Sequence, residues 1–241
     1  MNLYFCLCIC LLPFLAAFVL FKHFSSITFS TELIASLLAL LSVLPITFLQ
    51  FFVGIFFANI QVTSANSAVF LFLRILLFNG MIEECLKMLI MLLIPRKNLS
   101  FEHFFIASLL CGLCFGCFES MIYFLQHLQS ANERGADLIY YMIFARIFTS
   151  DLIHTLCTGL CGICAWSYIS KKGDGISLVI AILSHAVYDF FAGFQSNIRW
   201  FSVVVILFLA LEVRIHYKKI KTAGNENDTH NTKPTPPDTH I

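Results

Sequence analysis

Apolar residues run along this chain in long stretches separated by short polar connections. About seven such stretches can be marked, at roughly 3–21, 33–57, 67–94, 102–127, 138–170, 176–195 and 199–217. A helix rising 1.5 Å per residue needs about 20 residues to cross a hydrocarbon core of about 30 Å. Each stretch therefore predicts a membrane-spanning helix. Two are too long for one crossing. As a single helix, 138–170 would extend about 50 Å. Thr149–Ser150–Asp151 is a good N-cap cluster and the expected break, which leaves 138–149 to lie along the interface or re-enter. Asn79–Gly80 is an expected interruption within 67–94. No internal repeat is visible. From Thr222 onward the apolar pattern stops, and residues 222–241 are expected to form a disordered cytoplasmic tail. The remainder, 1–221, is expected to be one membrane domain with its chemistry concentrated in 67–195.

The basic residues orient these helices. Lys22, Arg96–Lys97, Lys171–Lys172 and Lys218–Lys219–Lys221 fall in alternate connections, whereas 59–66 and 195–198 contain no Lys or Arg. The segment 128–137 has only Arg134, beside Glu133 and Asp137. The positive-inside rule then puts the N-terminus outside and the C-terminus in the cytoplasm. Met1–Phe21 lacks a basic n-region and a small-x-small cleavage site, so it is expected to remain as the first span. The fold class is an all-α, polytopic, multi-pass bundle in the cell (inner) membrane.

Composition agrees with this pattern. Hydrophobic residues are 59% and charged residues 12% of the chain, against about 45–50% and about 25% for soluble domains. The net charge of +1 is spread over loops, and no basic stripe suggests nucleic acid as a partner. The 10 cysteines lie almost entirely in apolar runs, where Cys behaves as a small hydrophobe. Cys157, Cys161 and Cys164 share a helix face but have no partner set for a metal.

The informative residues are the ionisable ones inside the spans: Glu83, Glu84, Lys87, Glu119 with Tyr123, Arg146, Asp151, His154, His185 and Asp189. Each costs about 2.5–3.5 kcal/mol at mid-bilayer. Five or six unpaired would cost roughly 15 kcal/mol, comparable to the stability of a whole domain. They must face one another or a wet cavity. Glu83/Lys87, Glu119/Tyr123 and His185/Asp189 are i,i+4 pairs, each on one helix face. Arg146, Ser150 and His154 align if the helix is continuous there. Counted from the basic ends, Glu83 and His185 lie about 20 Å deep, and Glu119 and His154 about 25 Å. Four helices thus bring polar groups to one layer in the outer half of the bilayer. Gly112/Gly116 and Thr158/Gly162 predict close helix approach beside it. Arg74, His23, His103, His127 and His216 fall near the interfaces and are expected to snorkel or be solvated.

These residues resemble the motifs of PrsW-family intramembrane proteases. Glu83-Glu84-Cys85-Leu86-Lys87 matches E-E-x-x-K, and Phe118-Glu119-Ser120-Met121-Ile122-Tyr123 matches F-E-x-x-x-Y. Arg146 with His154 and Gly162 is similar to the third element, and His185-Ala186-Val187-Tyr188-Asp189 matches H-x-x-x-D. Kinship with CAAX-processing membrane endopeptidases is looser. The resemblance covers about residues 70–195. It implies an endopeptidase acting on a single-pass, membrane-anchored protein, such as an anti-sigma factor, near the extracytoplasmic side.

Hydrolysis requires an activated water, an oxyanion stabiliser and a proton donor. Glu83 or Glu84 is the candidate base, and His154 would orient the water. His185, held by Asp189, would bind the oxyanion or protonate the amine. Lys87 is expected to pair with Glu84 or Glu119, Tyr123 to donate to Glu119, and Arg146 to pair with an acidic neighbour or a headgroup. Asp151 fits an N-cap better than a catalyst. A second mechanism uses Zn²⁺ held by Glu119, His154 and His185, since two His, a carboxylate and a water make a normal hydrolytic site. Two other classes keep their place: a proton- or ion-coupled transporter, for which no inverted repeat is visible, and a scaffold that binds membrane helices.

Overall fold

In a hydrocarbon solvent the backbone has no hydrogen-bond partner but itself, so apolar runs of this length fold as helices. The computed structural model describes residues 3–25, 27–58, 68–95, 99–134, 136–170, 174–194 and 196–231. Among them there is no strand. Two long helices, α1 (Leu3–Phe24) and α2 (Phe29–Ala58), come first. The next helical stretch has three parts: α3 (Ala68–Ile75), a π-helical segment Leu76–Glu83, and α4 (Glu84–Met91). Then follow α5 (Phe101–Arg134), α6 (Ala136–Phe148), α7 (Ser150–Ile169), α8 (Ile176–Ala192), a 3-10 turn Asn197–Trp200, and α9 (Phe201–Asn231).

Among the described residues, four stretches are long and apolar enough to cross a membrane: Tyr4–His23, Phe29–Ile55, Phe101–Leu128 and Tyr140–Ile169, while Ile176–Ala192 is apolar but shorter. The outer faces of α1 and α2 present exposed apolar side chains such as Leu12, Val19, Leu44 and Phe51, suited to lipid contact.

Helix α5 has its most extensive partner in α7, and the glycines explain how closely they approach. A Cβ on Gly112 would sit 2.5 Å from the His154 carbonyl oxygen, and one on Gly116 would sit 2.9 Å from Asp151 Cα. One on Gly162 would meet the Ser108 side chain. The expected close approach is therefore built from Gly112 and Gly116 of α5 against α7, and from Gly162 of α7 against α5. Gly80, in the π segment, lies against α8, where a Cβ would come 2.7 Å from the Ile182 carbonyl oxygen.

The expected break near Ser150 is present: α6 and α7 are separated by Thr149 alone. Asp151 does not cap the helix. Thr149 occupies the N-cap position without a side-chain cap, its hydroxyl donating to the Ala145 carbonyl at 2.7 Å. The expected interruption at Asn79–Gly80 takes the form of the π-helical segment, which separates α3 from α4 without ending the helical stretch. At the other end of the chain, α9 continues past Thr222 to Asn231. Residues 222–231, expected without structure, extend that helix, and 232–241 lie outside the described residues. The connections carrying Arg96–Lys97 and Lys171–Lys172, and the loop 59–66, also lie outside them.

One end of the bundle is set by polar ties. His103 at the start of α5 pairs with the Ser25 carbonyl beyond α1, and Lys221 of α9 pairs with Glu102 of α5. Nearby, His216 is buried against Asp174 at 2.9 Å. This corrects the expectation that it snorkels or is solvated at the interface.

Candidate active site

The polar layer lies about 25 Å along α5 from that end, at 1.5 Å per residue from Glu102 to Glu119. It is assembled by α2, the π segment, α4, α5, α6, α7 and α8. The wider turn of a π-helix changes which side chains share a face. It ends at Glu83, so Glu83, Glu84 and Lys87 are presented together at its junction with α4.

At the centre stands Lys87, 1% exposed, with Nζ 2.9 Å from Glu84 Oε1 and 3.3 Å from Glu83 Oε2. It is also 3.1 Å from His154 Nδ1, and it lies 4.1 Å from the Phe115 ring centroid. The pairing with Glu84 agrees with expectation. Glu119 is instead held by Arg146 Nη2 at 2.8 Å and by His154 Nε2 at 2.7 Å.

The two adjacent glutamates differ. Glu84 is fully enclosed, and its oxygens are engaged by Lys87, by His185 Nδ1 at 2.7 Å and by the Cys161 thiol at 3.3 Å. Glu83 keeps a side chain 8% exposed, with Lys87 on one oxygen and Gln50 Nε2 donating to the other at 3.1 Å. Glu119, at 39% side-chain exposure, and Asp189, at 24%, are the open members of the layer.

Each histidine is braced. His154 has Glu119 behind Nε2; His185 has Glu84 on Nδ1 and Asp189 3.5 Å from Nε2. Asp189 in turn accepts from Asn79 Nδ2 at 2.6 Å. The two rings meet edge to face with centroids 4.9 Å apart. Arg146 binds Ser120 and Ser150 as well as Glu119. Its guanidinium lies 4.5 Å from the Tyr123 ring centroid, so Tyr123 supports Arg146 rather than donating to Glu119 as expected. Asp151 is buried, accepting from Ser120 at 2.8 Å and Cys117 at 3.5 Å.

Two residues of this network, Gln50 and Asn79, escape a reading based on charge and helical spacing. Both are lone amides in apolar helices, and an unpaired amide in lipid is costly enough to have marked them as buried partners.

Four groups can converge on an ion. Glu83, Glu84, His154 and His185 each offer a ligand atom, all within 4.8 Å of one another. Two imidazoles and two carboxylates suit Zn²⁺, and carboxylates behind the second ring nitrogens are the usual bracing of such ligands. Glu119 is outside this group and stands behind His154, which alters the expected ligand set. The described layer also has five carboxylates (Glu83, Glu84, Glu119, Asp151, Asp189) against two fixed cations, Lys87 and Arg146.

An apolar groove of about 380 Å³ lies between α6, α8 and the start of α9, lined by Phe144, Phe148, Trp200 and others. Its wall includes Tyr188 and Thr149, joined by a 2.8 Å hydrogen bond. Their chain neighbours Asp189 and Ser150 belong to the polar layer.

A family model described as "PrsW family intramembrane metalloprotease" matches residues 28–213. No curated protein and no solved structure matches the chain.

Proposed function

The chain belongs to the PrsW family of intramembrane metalloproteases, and on that premise we propose that Glu83 activates the water that cleaves its membrane-protein substrate. The observation carrying this reading is the asymmetry of the glutamate pair. A base must reach water and give up its proton again. Both glutamates have both oxygens engaged, but Glu84 has no exposure, whereas Glu83 is 8% exposed and can meet water.

In the proposed reaction, Glu83 takes a proton as water adds to the scissile carbonyl carbon. The carbonyl π-bond pair moves to oxygen, giving a tetrahedral oxyanion. Lys87 and His185 are the nearby donors for that charge. Collapse of the intermediate breaks the C–N bond, and the proton held by Glu83, or one from His185, passes to the leaving amine. His154 orients the water, with Arg146 and Glu119 fixing its ring. Were a Zn²⁺ held in place of the Lys87 ammonium, Glu84, His154 and His185 would be its ligands, leaving Glu83 as the base, and it would supply positive charge to polarise water and carbonyl.

The remaining particulars belong to the same proposal. We read seven spans with the N-terminus outside, in the inner cell membrane, and the site in the outer half of the bilayer. The substrate is then a single-pass protein of the anti-sigma-factor kind, cut near the extracytoplasmic side. The basic end of the bundle, with Lys22, Lys219 and Lys221, supports that orientation. Convergence of the polar groups on one enclosed point, rather than along a path, favours hydrolysis over ion transport.

The test labels new protein N-termini in cells carrying wild type, Glu83→Gln or Glu84→Gln. Extracytoplasmic N-termini of membrane proteins that disappear with Glu83→Gln name the substrate. Identical maps for wild type and both variants, across growth and stress conditions, would end the proteolytic reading.

A further inference from the structure

The four metal-capable groups and Lys87 make competing claims on one point. An ammonium has three N–H donors, and Lys87 directs contacts to Glu83, Glu84 and His154 at 2.9–3.3 Å. These are three of the four groups that a metal would need. The fourth, His185, bonds the same Glu84 oxygen that receives the ammonium. A ligated Zn²⁺ would need lone pairs of those groups at about 2.0–2.2 Å, at the place where Nζ now stands.

Retreat is restricted. Lys87 lies one helical turn from Glu83 and Glu84 on the same face, is 1% exposed, and has the Phe115 ring against its ammonium. Two cations sharing one set of carboxylates in a low-dielectric site repel strongly. We propose that Lys87 is the resident cation of this pocket, and that its ammonium and a divalent metal exclude one another. The pocket thus contains a latent metal site whose affinity is set by a lysine.

The inference rests on the positions of these five side chains and is independent of whether the chain cleaves peptides. The test measures Zn²⁺ binding to the purified full chain in nanodiscs, by titration with the metal alone and by metal content after dialysis. Wild type and Lys87→Arg are expected to bind weakly. Lys87→Met should bind one Zn²⁺ at least about tenfold more tightly, about 1.4 kcal/mol, and lose the gain when His154→Ala is added. If Lys87→Met folds only with metal, its melting temperature should rise with Zn²⁺ while that of wild type does not, which also supports the proposal. Tight, one-to-one, His154-dependent binding by wild type overturns it, as does Lys87→Met binding no more tightly than wild type. The wild-type titration decides even where the variant fails to fold.

Discussion

Among the described residues are two buried histidine–carboxylate clusters, and the proposed reaction uses only one of them. At the basic end, His216 meets Asp174 at 2.9 Å and Glu212 at 3.8 Å, with Lys219 3.8 Å from Asp174. In the polar layer, His154 and His185 meet Glu119, Glu84 and Asp189 at 2.7–3.5 Å. The residue types and distances are alike. The enclosure differs. Lys219 is 62% exposed, so water screens it and the pair contributes little. Lys87 is enclosed by groups from α4, α5 and α7, so its charge acts at low dielectric. A His–Asp pair alone is a tie between helices; convergence of several helices on one shielded cation is what the proposed reaction draws on.

The sharpest way to break this comparison is to remove one carboxyl charge from each cluster. Glu83→Gln should lower cleavage by at least about 1000-fold, within the range attributed to a positioned base. Asp174→Asn should change it by less than about twofold. Both are measured as kcat/KM on a purified substrate in proteoliposomes. Comparable losses in the two variants would show that enclosure is not what separates the clusters.

The next effect is on the frame that encloses the layer. Gly112→Ala places a Cβ 2.5 Å from the His154 carbonyl oxygen, so α5 and α7 must part. Overpacking of this kind costs about 1–3 kcal/mol and moves the backbone that carries His154. A melting temperature several degrees lower, with most activity lost, is expected. Gly175→Ala, where no atom lies within 4 Å, should leave both unchanged. A Gly112→Ala protein as stable and active as wild type would mean that close helix contact does not hold the site.

Arg146→Met tests positioning at smaller magnitude. The guanidinium holds Glu119, which holds His154, and loss of such a bracing partner typically costs 10–100-fold in activity. The loss should fall on kcat with KM little changed, and Arg146→Lys should restore part of it. A defect confined to KM would instead place Arg146 in contact with substrate.

Much of this arrangement was legible in the chain. Glu83 and Lys87 share a face at i,i+4, and the depth count from the basic residues put four helices' polar groups in one layer. Gly112 and Gly116 announce a close helix approach, which the structure makes between α5 and α7. What escaped depends on tertiary context. The π-helical segment is not signalled by periodicity; it lies where Gly80 rests on the α8 backbone. Gln50 and Asn79 have no spaced partner in sequence, since theirs are Glu83, 33 residues on, and Asp189, 110 residues on. Asp151 looked like a cap because capping is local, but its contacts come from α5, where Ser120 and Cys117 reach it. His216's distance from the span's end points to an interface position, snorkelling or solvated, rather than to burial. That count cannot register the fold of Asp174 back against α9.

The smallest expected effect sharpens the comparison from the other side. His216→Gln keeps a polar group of similar reach but loses the ring nitrogen facing Asp174. Among the described residues Asp174 Oδ1 is buried without a hydrogen-bond partner, so weakening the contact to Oδ2 leaves this carboxylate poorly satisfied. A hydrogen bond of this kind contributes about 1 kcal/mol net. The variant should therefore melt a few degrees lower while cleaving at the wild-type rate. Unfolding in nanodiscs, followed beside a cleavage assay, reads both quantities. If activity falls with stability unchanged, the basic end is coupled to the polar layer through α9, which packs on both α7 and α8. If stability alone falls, the two clusters are energetically separate, and the same chemistry serves as a helix tie at one end and as a reaction centre at the other.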